Sequence, residues 1–380
     1  MNQVTTPGQA SREREPRQGF FGLIRDSLAW GDLRHTPYGL RPALIFGASY
    51  FLTGLTARFE FIAGPNIVQD LNIDIRVIAG LASIVGILGI AGSLFVGWLA
   101  DRRNRLLLAG GGRLVQGAAN VLQSGAQDIR RFGSGTVGTN LGGELASVPF
   151  FSLISDYYPL NARGRMFGLL LAFARTGSTL SVFVIGILVT TIGWRPTLLV
   201  LGLPIGLMGI VIVLLLRNPT RGYFEKRAMG LDEETARRED PPPSFGEGWR
   251  TIWSVRMVRR IFVSDIFSGI GLTPFALLLP FMLADLYGLN PLQRSLFAIP
   301  TVIMGLFGGI LGGGLIDVLG RRSPSSVLRT VGALAGIPAF GILVLAAEPP
   351  LVLASVGYVI IVFGTTVIQP AFLSMYSQVI

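Results

Sequence analysis

The chain has 380 residues, of which 50% are hydrophobic and 14% charged, with 50 Gly, one His, no Cys and a formal charge of +10. Soluble domains carry about 25% charged residues and ~7% glycine, so this composition excludes an ordinary soluble domain and points to a chain that crosses a membrane several times. Without Cys there is no disulfide, thiolate nucleophile or zinc–cysteine site. His35 is alone in a charged segment, and Lys226, the one lysine, follows no phosphate-loop glycines. We therefore expect no metal, no cofactor and no enzyme constellation.

A bilayer core needs roughly 20 apolar residues as helix. Runs of that kind lie near 43–68, 77–100, 106–126, 132–155, 166–192, 196–216, 259–285, 294–316, 326–347 and 351–376. The third run is the weakest, diluted by Arg113, Gln116, Asn120 and Gln123. A hydrophilic stretch from Arg217 to Met257, with Pro241, Pro242 and Pro243, separates six spans from four. The expected organisation is a tail over 1–41, a six-helix bundle over 42–216, a linker over 217–257 and a four-helix bundle over 258–380. The fold class expected is an all-α membrane protein.

Basic residues give the orientation. With the N-terminus in the cytoplasm, 24 Lys and Arg fall on inner segments and five (Arg76, Arg130, Arg131, Arg195 and Arg294) on outer loops. That bias is the positive-inside pattern, and it accounts for the net charge through the lipid surface, without a nucleic-acid partner. The expected location is the plasma or inner membrane.

Charges inside spans are costly, about 2.5–3.5 kcal/mol each on insertion scales, and so mark candidate sites. They are Arg58, Glu60, Arg113, Glu144, Arg175 and Asp265. At ~1.5 Å per residue, Glu144 lies ~18 Å from the linker end of its span and Arg175 ~14 Å into the next, at similar depth. Glu144 with Arg175, and Glu60 with Arg58, are the expected carboxylate–guanidinium pairs. A carboxylate in a half-dry cavity takes up a proton more readily, and a nearby Arg reverses this, so such pairs suit proton coupling.

Gly97-x-Leu99-x-Asp101-Arg102-x-x-Arg105 follows the second span, and Gly313-x-Leu315-x-Asp317 followed by Arg321-Arg322 follows the eighth, 216 residues on. Internal repeats of this scale build many secondary transporters. At these residues the sequence resembles the major facilitator superfamily, whose signature after spans 2 and 8 is G-x-L-x-D-R-x-G-R-R/K. Asp156-Tyr157-Tyr158-Pro159 with Arg163-Gly164-Arg165 resembles the family's loop after span 4, and Gly193-Trp194-Arg195 its turn between spans 5 and 6. Arg58-Phe59 and Asn218-Pro219-Thr220-Arg221-Gly222 look spinster-like, with Ala57 where that group carries Asp. Gly142-Gly143-Glu144-Leu145 looks like the proton-coupled metabolite symporters.

The resemblance implies two pseudo-symmetric helical bundles with spans 1, 4, 7 and 10 lining a cavity, which places Glu60, Glu144 and Asp265 on three of them. It also implies a cytoplasmic gate built from Asp101, Arg102, Arg105, Asp156, Arg163 and Arg165, mirrored by Asp317, Arg321 and Arg322, and a role for Arg131 as the family's span-4 arginine. Repeat length places two further spans beyond Ile380. The function expected is secondary, proton-coupled transport of a small organic or amphipathic solute by a monomer in contact with membrane lipids. A drug or lysolipid exporter, and a non-transporting receptor, scaffold or inactive fragment, are the alternatives.

Overall fold

The computed structural model describes residues 38–238, 244–256, 259, 278–320, 330 and 332–377. Asp265, Arg321 and Arg322 lie outside the described residues. Within them the regular structure is helical, with no strand.

The first apolar run is interrupted rather than continuous. It forms α1 (Arg41–Leu55) and α2 (Phe59–Leu71), with a turn at Thr56–Arg58. Hydroxyls satisfy backbone carbonyls beside the break: Thr53 donates to the Ser49 carbonyl at 2.7 Å and Thr56 to the Thr53 carbonyl at 2.8 Å. A helix can open inside a membrane where freed backbone groups find such partners. Then follow α3 (Ile75–Arg102), α4 (Arg105–Ser124), α5 (Ile129–Tyr157), α6 (Leu160–Ile192) and α7 (Trp194–Leu215). Side chains fix several starts. Asp74, Asn104 and Asp128 cap α3, α4 and α5, each accepting from backbone N–H groups of the first turn. Gly193, at φ +83°, makes the turn between α6 and α7 in a conformation that side chains rarely adopt.

The linker holds three short helices, α8 (Tyr223–Ala228), α9 (Glu233–Ala236) and α10 (Phe245–Ser254). Beyond it lie a helical segment over 278–285, α11 (Pro291–Gly320), α12 (Gly336–Ala346) and α13 (Leu351–Ser377). Gly313 and Asp317 fall in the last turns of α11.

Length and composition let α3, α7 and the longest apolar stretches of α6 and α13 cross a bilayer. α4 is inside out by comparison with a soluble helix. Its Arg113, Gln116, Asn120 and Gln123 are all buried, whereas Leu107, Leu114 and Leu122 are exposed. Lipid is as apolar as leucine, so a helix in it hides its polar face and shows its apolar one. That explains why the third run reads as the weakest span.

α4 is held by close backbone approach. Hydrogens stand where side chains would collide: an added Cβ on Gly142 would lie 2.6 Å from the Gln116 amide nitrogen, and on Gly117 2.5 Å from the Gly206 Cα. Gly112 faces Ala146 of α5 in the same manner, with its Cβ position 2.5 Å from that amide nitrogen. Three apolar clusters complete the packing. One at the linker end joins Phe46, Phe150, Leu153, Tyr157, Met166 and Ile212. One at the opposite end joins Ile62, Ile67, Phe132, Ile185, Trp194 and Leu198. The third bridges the two halves and includes Val182, Leu283, Phe297, Ala298, Tyr358 and Ile361.

Gly142→Ala is expected to lower stability by about 1–3 kcal/mol, the usual cost of overpacking. Gly143→Ala should leave it nearly unchanged, because its Cβ would meet nothing nearer than the Gln116 Nε2 at 3.8 Å. Thermal unfolding of the two variants in detergent, read side by side, checks this.

Candidate functional site: a mid-bundle cavity

A cavity of about 430 Å³ opens between α2, α3, α4 and α5. Its wall includes Glu60 on α2, Asn120 and Gln123 on α4, Thr136, Thr139 and Asn140 on α5, and Phe281 from the other half of the chain. Glu60 is exposed to this space although it lies deep in the protein. The other polar groups form a ladder across the α4–α5 seam. Gln123 donates to the Thr136 hydroxyl at 2.8 Å, and the Thr139 hydroxyl donates to Gln123 at 3.4 Å and Asn120 at 3.5 Å. The Asn120 Nδ2 and Asn140 Oδ1 are buried without a partner among the described residues. The lining thus offers one carboxylate and several uncharged donors and acceptors.

A second polar group lies nearer the linker end. Arg113, 2% exposed, donates from Nε to the Ser49 hydroxyl at 2.8 Å and from Nη1 to Gln116 at 2.6 Å, with its guanidinium 5.2 Å from the Phe150 ring centre and 6.0 Å from that of Tyr50. Its neighbours there are neutral. Glu144 is half-buried on α5, within electrostatic range of the Tyr50 hydroxyl. Arg175 lies on an exposed face of α6, and no described ion pair joins it to Glu144. Arg58 reaches α13 and donates to the Tyr358 hydroxyl at 3.4 Å, while Glu60 faces the cavity. Arg131 sits exposed in the first turn of α5, away from the residues that line the cavity.

At the end away from the linker the two halves close on each other. Tyr358 stacks between Phe61 and Phe297 at 6.0 and 5.8 Å. Arg294, 2% exposed, reaches across from α11 and donates to Asn66 of α2 at 2.6 Å. An added Cβ on Gly186 of α6 would lie 2.8 Å from the Ser295 Cβ, so α6 and α11 also touch. From sequence, Arg294 reads as an outer-loop charge. It is instead a buried latch between halves, because the helix begins at Pro291 and turns its side chain inward. No sequence signal separates those two positions.

At the linker end, Asp101, Arg105, Asp156 and Arg163 form a network with the linker itself. Arg105 and Asp156 make a buried ion pair, and Arg105 also donates to the Ser152 hydroxyl at 2.5 Å and the Pro219 carbonyl at 3.3 Å. Asp156 accepts from the Gly222 amide at 2.8 Å. Arg221 binds Asp101 at 3.2 Å and the Ala100 carbonyl at 2.7 Å. Arg163 pairs with Glu225 at 2.5 Å. Partial burial pushes the Glu225 carboxyl up, but the Arg163 hydrogen bond and charge outweigh this and hold it below its ordinary value. Arg102 lies over the Trp98 ring at 4.6 Å, and Arg165 is half-buried on α6. Gly97 has open space around its Cβ position. Sequence reading missed Arg221, Glu225 and Tyr157, whose hydroxyl donates to the Arg217 carbonyl at 2.5 Å. Their signal was the Asn-Pro-Thr-Arg-Gly segment, which needed a fixed partner surface to be understood.

Arg105→Ala leaves the Asp156 charge buried and should destabilise the protein by about 3–5 kcal/mol, measured by thermal or denaturant unfolding. The Glu225 contribution is present above the ordinary carboxylate range and is lost as pH falls through its depressed folded value. Acidification should therefore free the linker: proteolysis at Arg227 in the wild type should speed up as pH falls, toward the rate of a Glu225→Gln control, which is already loosened at neutral pH and should show little of this pH dependence. At the end away from the linker, Ala298→Cys in this cysteine-free chain supplies a fully buried thiol. Adding Arg294→Ala should raise its labelling rate about tenfold, equivalent to ~1.4 kcal/mol of lost closure.

The family model described as Major Facilitator Superfamily matches residues 47–380. The Probable L-galactonate transporter of Escherichia coli (strain K12) is 24% identical over 265 residues, covering 68% of this chain and 57% of that protein. Niacin transporter NiaP of Acinetobacter baylyi is 26% identical over 266 residues, covering 63% and 58%. The chain thus spans less than three-fifths of the length of these two relatives. Among solved structures, a bacterial homologue to the human lysosomal transporter Spinster, inward-facing and unoccupied, superposes with a TM-score of 0.68 at 17% identity, covering 90% of this chain and 76% of that one. The nucleoside transporter NupG superposes at 0.66 with 13% identity, covering 89% and 82%. The helical pairing around a mid-bundle cavity and the family match over most of the sequence agree: this chain is an all-α, multi-pass membrane protein of the Major Facilitator Superfamily.

Proposed function

We propose that the protein is a secondary transporter that moves a small polar organic solute by alternating access, coupled to protons. The observation that carries this reading is Glu60, a carboxylate facing a cavity of about 430 Å³ deep in the bundle. That volume suits a metabolite-sized solute, since ligand pockets for drug-sized molecules run from roughly 300 to 1,000 Å³. The names of the relatives, transporters of L-galactonate and niacin, support a solute of this size.

In this reading Glu60 takes up the proton and the Asn120, Gln123, Thr136, Thr139 and Asn140 ladder binds the solute. Glu144, near Tyr50, is a second proton site. Asp265, on the seventh apolar run, is a third candidate. The inner gate is the Asp101, Arg105, Asp156 and Arg163 network. The basic linker puts its end of the bundle in the cytoplasm, with the plasma or inner membrane as the location. Tyr358 and Arg294 close the end away from the linker, which in this reading is the outer side. The Arg221–Asp101 pair near the linker is partly exposed, 28% and 53%, so it is weak enough to exchange during the cycle.

Proteoliposomes carrying the full-length protein test the coupling. Glu60→Gln should abolish accumulation driven by a pH gradient, down to the leak of empty vesicles, while preserving solute exchange at equal pH. Glu144→Gln should lower driven accumulation without abolishing exchange. Loss of exchange together with accumulation would place Glu60 in solute binding instead. Wild-type accumulation unchanged in both variants would remove proton coupling from these carboxylates, and no accumulation or exchange by the wild type would favour a non-transporting receptor or scaffold.

A further inference from the structure

Helix α10 has no obvious reason to exist as an isolated element. It has ten residues, Phe245–Ser254, and helices that short are marginal in water. It does not pack extensively along any other described helix, and none of its residues belongs to an apolar cluster of the bundle. Its start is fixed locally by a reciprocal cap. The Ser244 amide and hydroxyl donate to Glu247 at 2.9 and 2.7 Å, and the Glu247 amide donates to the Ser244 hydroxyl at 3.3 Å. A cap supplies direction but not enough stability to hold a helix whose apolar side is wet.

That apolar side is large. Trp249 and Trp253, one turn apart, stack with ring centres 5.1 Å apart and planes 13° from parallel. Both indoles nonetheless remain 41% and 38% exposed, and Val255 just beyond is 36% exposed. Arg250 lies beside the pair, and Arg256 and Arg259 follow it; all three are exposed. Glu247, the helix's acidic residue, is engaged with Ser244. An exposed aromatic face with a basic flank, on the chain segment that leads into an apolar run, has the chemistry of the interfacial layer. There indoles sit at headgroup depth and arginines meet lipid phosphates.

We propose that α10 lies in the leaflet on the linker side, with Trp249 and Trp253 at the acyl boundary and Arg250, Arg256 and Arg259 on anionic lipid headgroups. The surface recognised is a bilayer rich in phosphatidylglycerol or a lipid of like charge. This helix would tether the centre of the linker to the membrane, while Arg221 and Glu225 tether its beginning to the bundle. The assignment does not depend on solute transport or on which side of the membrane the linker occupies.

The test uses the full-length protein in vesicles with brominated lipid, either phosphatidylglycerol or phosphatidylcholine at equal mole fraction, so both leaflets carry the probe. Wild-type protein should show stronger tryptophan quenching by the brominated phosphatidylglycerol. In the Trp249→Phe, Trp253→Phe variant, two of five tryptophans are gone, and the quenched share of the emission should fall. Arg250→Gln, Arg256→Gln and Arg259→Gln together, with both tryptophans kept, should remove the preference for phosphatidylglycerol, by up to about fivefold for each arginine. Thermal unfolding of each variant confirms the bundle is intact. Quenching unchanged by the tryptophan substitutions would overturn the proposal and leave a protein partner as the covering surface. Equal quenching by both lipids in the wild type would overturn the anionic part.

Discussion

Within a bilayer an apolar side chain gains nothing by leaving lipid for protein, so helices must be held by contacts that lipid cannot supply. Here that contact is the near-touching of backbones along α4. Gly112 and Gly142 bring α4 onto α5, and Gly117 with Gly206 brings it onto α7. Dispersion between closely packed atoms, and the hydrogen bonds that this approach permits, replace the hydrophobic drive of a soluble core. The same approach decides where polar groups go. Once α4 is pressed between its neighbours, Arg113, Gln116, Asn120 and Gln123 have nowhere to be except the seam. The polar ladder beside the cavity is therefore a consequence of the glycine contacts, and the two cannot be altered independently.

The two ends of the bundle differ in kind, and the difference is chemical. At the linker end charge dominates: a buried Arg105–Asp156 pair surrounded by bonds to the linker backbone at Pro219 and Gly222. Burying that pair is expensive, and its value lies in fixing one geometry for the chain that leaves α7. At the opposite end the contact is aromatic and spans both halves, with Tyr358 between Phe61 and Phe297 and two arginines reaching across to neutral acceptors. Aromatic stacks and single hydrogen bonds from arginine to neutral acceptors differ in kind from a buried ion pair. The far seam joins the two halves, whereas the linker network ties the linker to one half.

α1 and α2 show how the cavity gains its carboxylate. A continuous helix over 43–68 would carry Glu60 on a fixed side of one cylinder. The interruption at Thr56–Arg58 restarts the helix and re-aims it, so Arg58 points to Tyr358 and Glu60 to the cavity. The two side chains are two residues apart in sequence and serve different surfaces. Residues two apart do not face each other on a helix, so nearness in sequence does not make Arg58 and Glu60 a pair.

The sequence by itself determined the class of fold. Long apolar runs, abundant glycine and the repeated Gly-x-Leu-x-Asp pattern allow little except a helical membrane protein built of related halves, because lipid forbids unsatisfied backbone and those runs satisfy it internally. It also marked which residues are costly enough to need a reason, Glu60, Arg113 and Glu144 among them. Only the tertiary structure decided their partners. Glu144 lies near Tyr50 rather than in an ion pair with Arg175, Arg294 is a buried latch instead of a loop charge, and Asp101 binds Arg221 of the linker. The physical reason is that depth along a helix can be read from residue number, but azimuth and helix-to-helix register cannot. Those depend on where glycines let backbones meet and where the first span breaks, and both are settled by the packing of segments distant in sequence.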